Sequence, residues 1–223
     1  MNALHPYWLI IASAILAIIP VAIGICTSFV KMHIVLSFFR SGLGAQQVPS
    51  GLVIFALSAA LSVVVMTPVF ESIKERADDF PWKTLEHNPS EISEAEINTL
   101  LDPWYQFLLE HSGERELLAF SKQDFENTGE ESVSDLVVEK QERVPLAALL
   151  PAFFITELRE AFLMGFIVLI PFLVIDLIVA NILAGVGMFM VSPVMISLPI
   201  KVALFVFADG WLLLTEGLTA GYL

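Results

Sequence analysis

Three ionisable side chains lie within strongly apolar sequence, where a charge needs compensating contacts. Asp176 lies in the run 172–179, and Lys201 and Asp209 lie in the next apolar stretch. An aspartate at the centre of a membrane helix costs roughly 2.5–3.5 kcal/mol on insertion scales. We therefore expect Lys201 and Asp209 to be partners of Asp176. Two roles are open: a structural ion pair that fixes how two helices close, which we favour, and a relay for protons or ions.

A second group, Met188-Phe189-Met190, follows Gly187 and precedes Pro193, so it is expected to form a loop at the tip of a helical hairpin. Methionine is flexible and polarizable and fills irregular gaps. The local sequence allows two interpretations. These side chains are core residues, or tips from several copies meet and form a deformable apolar seal.

The residue types that support catalysis or metal binding have no recognisable pattern in the chain. Cys26 is the only cysteine. No glycine-rich phosphate loop and no nucleophile elbow occurs. The four histidines have no second ligand at helical or loop spacing; they are His5, His33, His87 and His111. We therefore predict that the protein is not an enzyme, has no catalytic or metal site, and binds no cofactor.

The elements that must position these residues are apolar helices. The 223-residue chain is 57% hydrophobic and 16% charged, with a mean hydropathy of +0.78, whereas soluble domains are about 25% charged. Segments 8–30, 52–70, 161–183 and roughly 202–214 reach or approach the length that crosses a bilayer. Pro20 and Pro171 lie inside two of them and are expected to bend or break the helices. The predicted fold class is all-α, with kinked hydrophobic hairpins.

The charge is concentrated in one insert. Segment 71–143 holds 19 of the 24 acidic and 7 of the 11 basic residues, and the net charge of the whole chain is −13. A basic nucleic-acid-binding surface is therefore not expected. Ser93 and Glu96 form a capping-box pattern that predicts a helix start, and Pro103 is expected to punctuate the helices that follow. We predict three parts: N-terminal hydrophobic helices (1–70), an acidic helical insert (71–145) and a C-terminal hydrophobic hairpin (146–223).

Two segments carry a family resemblance. The run from Phe39 to Pro49, which contains Arg40, Gln46 and Gln47, resembles the first signature of the FliP/SctR family of type III secretion. A longer second signature covers Leu150–Phe153, Thr156–Leu158, Ala161-Phe162, Gly165-Phe166, Pro171–Leu177, Gly187–Met190, Ser192-Pro193, Leu198–Lys201 and Asp209–Trp211. It includes Glu157, and the resemblance covers most of the chain except the insert and the extreme N-terminus.

The resemblance implies a core subunit of the export apparatus in the bacterial inner membrane. Several copies would assemble with SctS-like and SctT-like subunits, and with other export-apparatus and basal-body proteins, around a conduit for unfolded secreted substrates. The assembled complex, with the acidic insert, would lie largely on the periplasmic side. The methionine-rich loop of the family, which narrows the conduit, aligns with Met188, Phe189 and Met190. The signature residues Arg40, Gln46, Gln47 and Glu157 would lie at interfaces.

The sequence departs from the family at two positions. Phe189 interrupts what is commonly a run of three methionines, and Ser41 replaces the usual asparagine. The Ser192-Pro193 pair and the acidic stretch before Val144 favour the injectisome over the flagellum. The alternative function is a small secondary transporter or proton channel that uses Asp176 and Lys201.

Overall fold

The computed structural model describes residues 6–44, 49–78, 80–82, 93–128 and 143–222, and those residues form helices joined by short turns. The helices are α1 (Pro6–Cys26), α2 (Phe29–Leu43), α3 (Gly51–Asp78), α4 (Glu94–Glu110), α5 (Glu114–Thr128), α6 (Leu146–Gly185), α7 (Pro193–Phe207) and α8 (Gly210–Thr219). The predicted all-helical fold is confirmed.

Two helices, α3 and α6, are long and apolar enough to cross a membrane. The number rises to four if the consecutive pairs α1–α2 and α7–α8 each count as one span. Helices α1 and α6 continue through Pro20 and Pro171. A break at these prolines was one of the two expected effects, and it does not occur. The helical breaks fall instead at residues 27–28 and at 208–209, where α7 and α8 meet at 65°.

The chain divides into two compact units. One unit comprises Met1–Ser28 and Met66–Thr156, and the other comprises Phe29–Val65 and Glu157–Leu223. Helices α3 and α6 each contribute residues to both units. The three-part organisation proposed from the sequence stays a prediction.

In the first unit, α4 begins as the sequence predicts. Ser93 accepts a hydrogen bond from the backbone of Ala95, and Glu96 accepts one from the Ser93 backbone. The helix then buries Tyr105, Phe107 and Leu108. These contacts fix an amphipathic helix against the start of α6, where Phe107 lies 5.8 Å from Phe153 between ring centroids.

Pro103 does not end a helix, contrary to expectation, because another residue satisfies the backbone that it leaves free. Proline lacks the N–H that would bond the carbonyl four residues earlier, here that of Thr99. The Arg76 guanidinium donates to this carbonyl at 2.7 Å and also contacts Asp102 at 3.2 Å. Arg143 contacts the other Asp102 oxygen at 2.8 Å. The long-range arginine contacts allow α4 to continue through the proline.

In the second unit, an aromatic cluster joins α2, α6, α7 and α8. Phe39 is fully buried. The centroid of its ring lies 4.5 Å from that of Phe205, 5.2 Å from that of Trp211 and 5.9 Å from that of Phe172. A Cβ added at Gly42 would lie 2.7 Å from the Phe172 ring. Only glycine therefore permits this close approach of α2 and α6.

Candidate functional site: a tied hairpin with an apolar tip

Lys201 of α7 ties α6 and α7 together and also contacts α2. Its ammonium donates to Asp176 Oδ2 at 2.7 Å and to the Gly42 carbonyl at 2.8 Å. Ser197, one helical turn before Lys201, donates to the other Asp176 oxygen at 2.5 Å. The lysine side chain is only 1% exposed, whereas that of Asp176 is 31% exposed. We call these four residues the lysine tie.

The lysine tie also caps a helix. The Gly42 carbonyl is among the last four of α2, which have no partner within the helix. A cation there also interacts favourably with the helix dipole. Gly44 ends α2 with a positive φ of 72°, and a Cβ on it would lie 3.0 Å from Val194. Gly44, in the middle of the first signature segment, thus lies against the beginning of α7.

Among the described residues, Asp209 and Arg40 are not brought into the tie. Asp209 is exposed and starts α8 from a left-handed backbone, with φ at 48°. Arg40 is half-buried in the last turn of α2, where its charge suits the helix terminus. Gln46 and Gln47 lie outside the described residues. The expected contact between Asp176 and Lys201 is present, and what the contact does remains a prediction.

A second buried charge cluster was missed by the sequence reasoning except for Glu157. The Lys31 ammonium, 1% exposed, lies 3.0 Å from Glu157 Oε1 and 2.7 Å from Glu160 Oε2. The Tyr222 hydroxyl donates to the other Glu157 oxygen, and the Tyr222 ring lies 4.0 Å from the Lys31 ammonium. The available signals were a lone lysine in an apolar helix and two glutamates at i, i+3 spacing, which share a helix face.

Tyr222 is held in its neutral form within this cluster. Burial raises the pKa of its hydroxyl above the ordinary tyrosine value, and the neighbouring Glu157 carboxylate raises it further. A neutral phenol can donate a hydrogen bond to the carboxylate, whereas a phenolate would repel the carboxylate. The Tyr222 hydroxyl therefore keeps its proton across the physiological pH range.

The apolar tip consists of Met188, Phe189 and Met190, between α6 and α7. Helix α6 ends at Gly185, and Pro193 occupies the first turn of α7, where a proline fits. Exposure rises along the tip: Met188 is 46% exposed, Phe189 is 82% exposed and Met190 is fully exposed. In the single chain, the predicted loop thus presents bulky apolar side chains away from its own core.

The described residues contain no cluster of three or more His, Cys, Asp or Glu side chains that could hold a metal ion. His33 lies between helices, where its ring stacks on Phe29 at 5.5 Å. His111 contacts the Phe107 carbonyl at 2.8 Å at the end of α4. Both histidines therefore have packing and capping contacts.

Comparison with known proteins assigns the chain to a family. The FliP family model matches residues 12–218. The chain is 37% identical over 216 residues to Yop proteins translocation protein R of Yersinia pestis. The alignment covers 96% of the chain and 95% of that protein. It is 35% identical to flagellar biosynthetic protein FliP of Bacillus subtilis, and that alignment covers 96% of the chain and 90% of the relative. It is 36% identical to virulence protein YscR of Salmonella typhimurium, and that alignment covers 88% of the chain and 87% of the relative. The family predicted from the two signatures is thus confirmed, and the chain belongs to the FliP family of structural secretion-apparatus proteins, which are not enzymes.

Proposed function

We propose that the chain is a conduit subunit of a type III protein-export apparatus in the bacterial inner membrane, and that its apolar tip seals the conduit. Several copies assemble with SctS-like and SctT-like subunits around a path for unfolded substrates. The complex lies largely on the periplasmic side, together with other export-apparatus and basal-body proteins. The names of the relatives, which are translocation, virulence and flagellar proteins, support an export role.

The exposed tip is the observation that carries the proposal. Phe189 and Met190 present bulky apolar surface that the single chain leaves uncovered. Tips from several copies, brought to one axis, would form a hydrophobic constriction, which excludes water and ions by dewetting. Methionine side chains can deform around a passing polypeptide. Phe189 has fewer rotatable bonds, so this seal is stiffer than one made of three methionines.

The lysine tie supports the tip mechanically. It joins Asp176 of α6 to Lys201 of α7, the two helices that the tip connects. Both carboxylate oxygens of Asp176 accept hydrogen bonds, one from Lys201 and one from Ser197. Because both of its oxygens are already engaged, a structural role suits Asp176 better than a proton relay, and the transporter alternative loses its main support.

The outward faces of the hairpin support an oligomer in contact with lipid. From Phe162 onward, helix α6 exposes a row of large apolar side chains: Phe162, Leu163, Phe166, Ile167, Ile170, Leu173, Leu177 and Ile182. Soluble monomers rarely expose continuous apolar surface of this kind. We propose that neighbouring copies, the SctS-like and SctT-like subunits and membrane lipid cover this face. Arg40, Gln46, Gln47 and Glu157 are proposed to contribute to subunit interfaces.

The injectisome is the proposed system, since Ser192-Pro193 and the acidic insert are closer to SctR than to flagellar FliP. Matching names occur in both systems. Complementation separates them. The chain should restore secretion to an injectisome strain that lacks its SctR, but not motility to a flagellar strain that lacks FliP. Restored motility alone would contradict the assignment.

The seal is tested by the conductance of the purified assembly in planar bilayers. Replacing Met188, Phe189 and Met190 with alanine should raise the resting ion conductance severalfold while the complex keeps its native mass. Met195→Ala is the matched control, because this methionine is also exposed but lies on α7 beyond the tip. Unchanged conductance in the triple variant would rule out the sealing role.

A further inference from the structure

The end of helix α6 has a defined hydrogen-bond geometry that reaches into the tip. Gly187 adopts a left-handed backbone with φ at 81°. Its N–H donates to the Ala184 carbonyl at 3.1 Å, and the N–H of Met188 donates to the Leu183 carbonyl at 2.9 Å. These two nested hydrogen bonds, around a left-handed glycine, constitute a Schellman motif. The first residue of the tip is thus fixed to the helix by its backbone.

This geometry separates the three tip residues into two classes. Met188 is held by its N–H and is 46% exposed, whereas Phe189 and Met190 follow it and are far more exposed. The direction in which the last two side chains leave the helix depends on the backbone of the residue before Met188. That residue is Gly187.

We propose that Gly187 is a positioning residue of the seal: its left-handed conformation sets where Phe189 and Met190 project. The inference rests on the proposed sealing function of the tip. Gly187 contacts no substrate and acts only through the two residues that follow. It is therefore a determinant of how tightly the seal closes, distinct from the side chains that form the seal.

Space does not explain the glycine, but backbone conformation does. A Cβ added at Gly187 meets no atom within 4 Å, and the same is true at Gly185, two residues earlier. Gly185 lies within α6, where alanine is well tolerated. At Gly187, alanine disfavours the left-handed conformation by roughly tenfold relative to glycine. Asparagine visits that conformation readily and replaces glycine at helix ends.

The two glycines therefore provide a matched experiment. We expect Gly187→Ala to raise the resting conductance of the purified assembly severalfold in planar bilayers. Gly185→Ala adds the same methyl group without conformational cost, so its conductance should stay within twofold of the unsubstituted protein. Gly187→Asn should restore most of the seal despite its larger side chain. Equal leakage from the two alanine variants, or a larger leak from Gly187→Asn than from Gly187→Ala, would overturn the inference.

A Phe189→Ala, Met190→Ala double variant, measured in parallel, distinguishes this inference from the proposed function. If the double variant leaks and Gly187→Ala does not, the seal stands and the positioning role is wrong. If neither leaks, the sealing function fails, and the positioning role fails with it. Should Gly187→Ala alone prevent assembly, co-expression with the unsubstituted chain gives mixed complexes. Their leak must then rise with the share of variant copies, and a constant leak would refute the positioning role.

Discussion

The ion pair of the lysine tie allows a quantitative prediction, because one of its two charges is buried and the other is partly exposed. Replacing Lys201 with methionine keeps most of the apolar side chain but removes the ammonium that contacts Asp176 and the Gly42 carbonyl. Loss of one partner from a fully buried ion pair costs about 3–5 kcal/mol. Because the Asp176 side chain is 31% exposed, water compensates part of the loss. We expect the free energy of unfolding to fall by about 2–3 kcal/mol, which is less than a fully buried pair would lose.

The partner substitution completes a double-mutant cycle. Asp176→Asn leaves the Lys201 charge almost fully buried without a carboxylate, and we expect a comparable loss of about 2–3 kcal/mol. In the double variant neither charge remains, so its total loss should be smaller than the sum of the single losses by about 1–3 kcal/mol. The assay is unfolding of the detergent-solubilised full chain by titration with dodecyl sulfate, followed by helical circular dichroism. Strictly additive losses would refute the ion pair as a stabilising contact.

The same double variant separates the two roles left open for these residues. If the pair is structural, the double variant should assemble and retain most of its secretion, since only a packing contact has changed. A proton relay would lose its titratable groups in the double variant. A complex of native mass that secretes nothing would therefore contradict the structural role and favour the relay.

Three further perturbations follow from single contacts. Gly42→Ala places a Cβ within 2.8 Å of two α6 side chains and should destabilise the chain by about 1–3 kcal/mol in the same titration, whereas Gly217→Ala, in open space, should be neutral or slightly stabilising. Arg76→Met removes the donor to a carbonyl that a proline frees in α4 and should lower the unfolding free energy by about 1 kcal/mol. The raised pKa of Tyr222 means that the unfolded chain releases the phenol proton first, at a pH of about 10, so stability should fall as pH rises above that value. Tyr222→Phe should make this alkaline loss shallower.

Local patterns predicted the features whose physics is local. The capping box at Ser93 located the start of α4 because its hydrogen bonds join residues three apart. The energetic penalty of a charge in an apolar helix pointed from Asp176 to Lys201, although sequence could not supply the contact with Gly42. Proline rules failed at Pro103 because the compensating donor, Arg76, comes from a different helix.

The contacts that sequence reasoning missed join residues distant in the chain. Nothing near Lys31 indicates that Glu157 and Tyr222 meet it, because their approach depends on how α2, α6 and the residues after α8 pack. The distinction between Gly185 and Gly187 was likewise invisible. Both glycines follow an apolar run, and only the backbone dihedral angle shows that Gly187, and not Gly185, adopts the left-handed conformation.

The native mass of the co-expressed complex shows most directly whether the chain is a conduit subunit of an export assembly. The chain is co-expressed with its SctS-like and SctT-like partners, extracted in detergent, and the intact complex is weighed by native mass spectrometry. We expect one discrete assembly that contains several copies of this chain together with both partners. A monomer or simple dimer that excludes the partners would contradict it.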